Sequence, residues 1–149
     1  HTIAYTHQGL VECSQLLKHD ASLELAILGS TALRNSLESH GRLHGRYASD
    51  WVPTVRWRCL TGEAQTAIVW YRLAAITGDK AWTEAANEVV ESLKMTQRIG
   101  GSAATSGGIK GSQPITAPYG RLSYLNRAAK FFADALMLQL GDQRASQDG

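Results

Sequence analysis

Apolar residues recur at helical spacing along most of this chain, and polar interruptions divide it into five segments. In residues 3–17, IAYTHQGLVECSQLL, the residues Ile3, Leu10, Val11 and Leu17 fall on one stripe with Ala4 and Tyr5 beside it. A first helix is predicted there, ended by Lys18-His19-Asp20. Asp20 is a good N-cap for a second helix, ASLELAILGSTALRNSLE, whose Leu23, Ala26, Ile27, Leu33 and Leu37 share a face. Residues 62–77 predict a third helix, stopped at Thr77-Gly78-Asp79, and Asp79 caps a fourth with Trp82, Ala85, Ala86, Val89, Val90 and Leu93 apolar. Residues 124–140 begin a fifth that ends at Gly141-Asp142, so a domain is expected over 1–141 and a polar tail over 142–149.

Aligning Asp20 with Asp79, 59 residues apart, matches Leu10 to Val69, Leu23 to Trp82 and Ala26 to Ala85, which reads as a repeated helix pair. Few β-branched residues alternate over any useful length, so the fold class is all-α. A long repeat suits antiparallel helical hairpins stacked as part of an α/α toroid, with five main helices and two long loops, 40–60 and 99–122. First helices would lie inside and second helices outside. That explains why AQTAIVWYRLAAI is apolar on nearly every side: an inner helix touches its outer partner, both neighbours and a central cavity. The last helix has no partner to follow it. Its flank is expected either bare or covered by a homodimer partner or a missing N-terminal half, through Phe131, Phe132, Leu136 and Met137.

Composition narrows the picture. The 149 residues suffice for one domain that buries about 70% of its unfolded surface. No apolar run approaches the roughly 18 residues of a membrane span. The chain starts on His1 inside a helical pattern and without a leader-like segment, as a fragment or processed product would. Cys13 and Cys59 stand outside metal-type or C-x-x-C spacing, which fits free thiols in a reducing, cytoplasmic setting. A net charge of +2 gives no nucleic-acid signature, and no cofactor motif is present. The placement of charge says more. Arg42, Arg46, Arg56 and Arg58 oppose only Asp50 in the first loop, while Lys110 and Arg121 meet no acid in the second. If topology brings both loops to one rim beside the N-termini of the inner helices, an anion is the expected visitor.

Candidate chemistry follows from that rim. Arg56, Arg58, Lys110, Ser112 and Trp57 are candidate substrate-binding residues, since aromatic faces next to cations and glycine-flanked amides suit a sugar bearing carboxylate or phosphate. Tyr47, Trp51, Trp57 and Tyr119 equally suit a plain packed loop. GGIKGS lacks the order of a phosphate loop, and no strand precedes it. His1 and Tyr5, four apart on one helix, could serve as acid and base, with Tyr119 and Glu63 as further candidate catalytic groups. Glu63 is also explained by the dipole of its helix. Gln65 reads as a polar lumen residue and Cys59 as a structural thiol. His40 and His44 lack an evident third ligand, so no metal is expected. Asn126, Lys130 and Asp134 form a polar stripe on the last helix, facing either a cavity or solvent.

The stretches HTIAYTHQGL, WRCLTGEAQTAI, GGIKGSQPI and LNRAAKFFADAL resemble those of an uncharacterised bacterial domain related to the α/α-toroid superfamily of terpenoid cyclases and six-hairpin glycosidases. The resemblance spans most of the chain and implies the C-terminal half of a longer toroid. By fold it implies carbohydrate chemistry, as in glycoside hydrolases, uronate lyases and uronate C5-epimerases. No D-x-D-D or D-D-x-x-D cluster supports terpene cyclisation, and no Cys/His zinc set is present. For a hydrolytic carboxylate pair only Glu63, Asp50 and Asp134 are available. The resulting expectation is an anionic carbohydrate, uronate or phosphosugar, bound or processed at the rim. The alternative is a non-catalytic helical-repeat module acting through the last helix.

Overall fold

The computed structural model describes residues 1–147 and is all-α apart from one two-residue ladder. The elements are α1 (Thr2–Leu17), α2 (Asp20–His40), β1 (Arg58–Cys59), α3 (Leu60–Thr77), α4 (Lys80–Lys94), β2 (Ser112–Gln113) and α5 (Asn126–Gln147). Tight left-handed turns at Lys18 (φ 51°) and Gly78 (φ 72°) end α1 and α3 and fold each back on its partner. Asp79 caps α4 as expected, its carboxylate accepting from the Ala81 amide at 3.0 Å.

The cap of α2 differs from expectation. His19 is its N-cap residue, with Nδ1 on the Ser22 hydroxyl at 2.8 Å, and Asp20 lies in the first turn. The true period is therefore 60: Lys18 answers Gly78, and His19 answers Asp79. At that offset buried positions coincide, Ala4 with Ala64, Val11 with Tyr71, Ala26 with Ala86 and Leu33 with Leu93. The repeat is thus one of packing as much as of residue type.

The arrangement has two layers. Helix α3 packs against α1 and α5 on its flanks and α4 behind, while α2 backs α1. Arg34 of α2 crosses to α4, its guanidinium 4.5 Å from the Trp82 ring centre. Every residue of α3 from Leu60 to Tyr71 is buried, so the greasy helix is central. Its front is closed within the chain: Tyr5 of α1 meets Phe131 of α5 edge-on at 5.7 Å. Over this span α3 is surrounded by α1, α4, α5 and the crossovers, with only a small cavity beside its first turns. Full burial of side chains such as Leu60, Trp70 and Leu73 contributes about 1.5–3 kcal/mol each.

Two expectations about the last helix change. Phe131 (7% exposed) and Phe132 (2% exposed) belong to the core, while Met137, Leu138 and Leu140 remain exposed. The helix also passes through Gly141-Asp142, so the expected tail from 142 to 147 is helical, and residues 148–149 lie outside the described part. Gly41 and Gly78 end helices because their φ is positive, whereas Gly141 keeps helical geometry and no left-handed turn forms.

Candidate functional site

The two crossovers meet at the end of the molecule where α3 begins. Arg58 pairs with Gln113 and Cys59 with Ser112 in an antiparallel ladder, and the Leu60 amide donates to the Gly111 carbonyl at 3.1 Å. The first crossover is folded on itself by Gly45 N–H to Trp57 C=O (2.7 Å) and Thr54 N–H to Arg46 C=O (3.0 Å). Gly45 is required there, because a Cβ would stand 2.1 Å from the Trp57 ring.

Beside this junction opens a cleft of 320 Å³, lined by His1, Arg46, Trp57, Cys59, Pro118 and Tyr119 among others. The His1 ring lies 4.9 Å from that of Tyr119 and 5.5 Å from that of Tyr5. Arg46 and Arg56 are exposed and form no ion pair among the described residues, and the Arg127 guanidinium lies 5.7 Å from the Tyr119 ring centre. Such cations remain available to an anion. An inner cavity of 40 Å³, touching His1, His44, Tyr47, Cys59, Glu63 and Thr66, adjoins the cleft and is large enough for water.

Arg58 and Glu63, expected as separate substrate-binding and catalytic residues, hold each other. Arg58 Nε donates to Glu63 Oε1 at 2.8 Å and Nη2 to Oε2 at 2.5 Å, while Nη2 also donates to Ser92 Oγ at 2.8 Å. Glu63 is 3% exposed. Burial is the larger influence and pushes its carboxyl upward, while the two-pronged guanidinium contact pulls the other way. The pair ties the first crossover to α3 and α4, and neither partner faces the cleft as a free group. The cause is local: β1 leads directly into α3, which brings the Arg58 side chain alongside the first helical turn.

The other expected residues separate in space. Tyr5 (47% exposed) meets the His1 ring without lining the cleft itself, while Tyr119 lines the cleft with His1. Trp57 lines it as well. Ser112 is buried and its hydroxyl donates to the Tyr119 carbonyl, so it fixes the loop. Lys110 Nζ donates to Gln113 Oε1 at 3.3 Å. Asn126 and Lys130 lie on the exposed side of α5, with Lys130 paired to Asp134 at 2.6 Å, so this stripe faces solvent. His40 and His44 stack edge-on at 5.1 Å, and no three His, Cys, Asp or Glu groups converge among the described residues. Burial pushes the Cys59 thiol up, as in a structural cysteine.

Sequence reasoning counted Arg46 only as rim charge and missed Arg127. It also gave no warning of three polar groups left without partners. Thr61 Oγ1, both amide atoms of Gln65 and Tyr119 Oη are buried and meet no hydrogen-bond geometry. Thr61 and Gln65 are both 0% exposed and lie one turn apart on the same side of α3. Tyr119 approaches Thr61 closely enough for the threonine to favour its phenolate, although burial dominates and raises its pKa. Each unpartnered buried group costs about 1–3 kcal/mol, and such groups are rare. Trp70 Nε1 is also unpartnered, but it lies on the opposite side of α3, toward Trp82.

No family model, curated protein or solved structure matches this chain.

Proposed function

We propose that the protein binds an anionic carbohydrate, a uronate or phosphosugar, in the cleft at the joined crossovers. The observation that carries this reading is the meeting of free cations and ring faces at one opening: Arg46 with Trp57, His1 and Tyr119 around 320 Å³, and Arg127 behind the Tyr119 ring. A carboxylate or phosphate would take the guanidinium groups, and a sugar ring the face of Trp57. The groups suited to handling a proton are His1, Tyr5 and Tyr119, whose rings adjoin. Glu63, tied to Arg58, positions the crossover and does not react.

Calorimetric titration with trigalacturonate and with a hexose phosphate tests the reading. Binding is expected at about 20 mM salt and should weaken several-fold at about 200 mM, because exposed charges are screened over the shorter Debye length. Arg46→Ala and Arg127→Ala should each weaken it further. Absence of heat with both sugars overturns the reading.

One observation favours a second reading, an interaction module. A groove of 450 Å³ at the far end is lined by Ala74, Ala75, Met137 and Leu138 among others, near the exposed last turns of α5. Light scattering that shows a monomer at every concentration counts against a dimer through this face.

A further inference from the structure

We propose that Thr61 and Gln65 form a hydroxyl-recognising floor beneath the cleft, reached when the Tyr119 ring moves aside, and that they select the uncharged part of the sugar. The inference rests on the rim reading and adds a subsite to it.

The argument begins with what these two side chains fail to do. Both are fully buried and sit on one face of the central helix; neither amide atom of Gln65 finds a partner, and the Thr61 hydroxyl meets only the Tyr119 phenol, without good hydrogen-bond geometry. The two hydroxyls of α3 at Thr66 and Thr77 are satisfied within the helix, donating to the Gly62 and Leu73 carbonyls at 2.8 Å. Thr61 has no such bond, and Gln65 has a spare donor and acceptor. A sugar hydroxyl both donates and accepts, so it complements an amide and a hydroxyl one turn apart.

The Tyr119 side chain lies over Thr61. Tyr119 adjoins Thr61, its own hydroxyl is unpartnered, and its ring is held by the His1 ring on one side and the Arg127 guanidinium on another. All three belong to the cleft wall or stand against it. A ligand carboxylate that drew Arg127 away would loosen Tyr119 and expose Thr61 first, then Gln65. Charge would thus be read at the surface and hydroxyl pattern beneath it.

The test uses trigalacturonate calorimetry and thermal melting of the wild-type chain, Gln65→Met and Thr61→Val. Both substitutions keep volume and remove the unpartnered atoms, so Tm should rise or hold. Affinity should fall about tenfold or more, with the salt dependence unchanged because neither residue is charged. If the wild-type chain does not bind, the rim reading falls and this inference with it. If the wild type binds and Gln65→Met matches it within about twofold, the inference alone is overturned. Should Gln65→Met lower both Tm and affinity, the milder Thr61→Val must weaken binding at unchanged Tm. Without that result the floor is structural and the inference fails.

Discussion

Helix α3 carries two buried polar stretches built on opposite rules. Near its C-terminal half Tyr71 Oη donates to Asn87 Oδ1 at 2.6 Å, and Gln139 of α5 donates to the same oxygen at 3.1 Å and to Glu91 at 3.0 Å. Three helices are joined there by groups that satisfy one another. Burial pushes the Tyr71 phenol far up, with Asp142 and Glu91 adding to the effect, so it stays a donor. In the first two turns, at Thr61 and Gln65, comparable burial brings no hydrogen bond of good geometry. The lower network lends specificity to the α3–α4–α5 packing, whereas the upper stripe costs stability without return in the closed fold.

Substitutions should break or sharpen that contrast in a fixed order. The largest loss is expected from Glu63→Ala, which strands the Arg58 guanidinium, 15% exposed, without its carboxylate. Urea unfolding should show about 3–5 kcal/mol less stability. Asn87→Leu removes the shared acceptor of Tyr71 and Gln139 and should cost about 1–3 kcal/mol by the same measurement. If it costs nothing, the lower network does not differ from the upper stripe. Gln65→Met should carry the opposite sign, a gain of about 1–2 kcal/mol, and a loss there would erase the contrast.

The smallest effect is a pH dependence from His7, which is 6% exposed and lies against Ser30 and Trp51. Burial lowers its pKa from the ordinary 6.5. Below pH 6.5 the unfolded chain therefore takes up a proton that the folded chain resists, and stability declines as pH falls. Urea midpoints compared at about pH 7.5 and about pH 5 should show this decline, and His7→Gln should flatten it. Gly29 makes the fit possible, since a Cβ there would stand 2.3 Å from His7 Nε2.

Much of this fold was legible because periodicity reports burial directly. Helix α4 shows it best, with Trp82, Ala85, Ala86, Val89, Val90 and Leu93 all buried. Residue type misled where several types can do one job. Asp20 resembles a cap, yet His19 takes that place through Ser22, and Gly141 resembles a stop although no turn follows. The joining of the crossovers was readable from helix direction. The chemistry within them was less so, because spacing cannot tell whether Arg58 points at Glu63 or at an incoming anion. Gln65 illustrates the remainder: its polarity suggested a lumen, and only coordinates reveal that its amide is sealed in without bonds.

The two thiols give the chain a built-in clock. Cys13 is exposed and is expected to react first with a thiol reagent, while Cys59, 5% exposed, sits at the start of α3 between the cleft and the inner cavity. Its alkylation is expected to be slower and to report how often the wall around it opens.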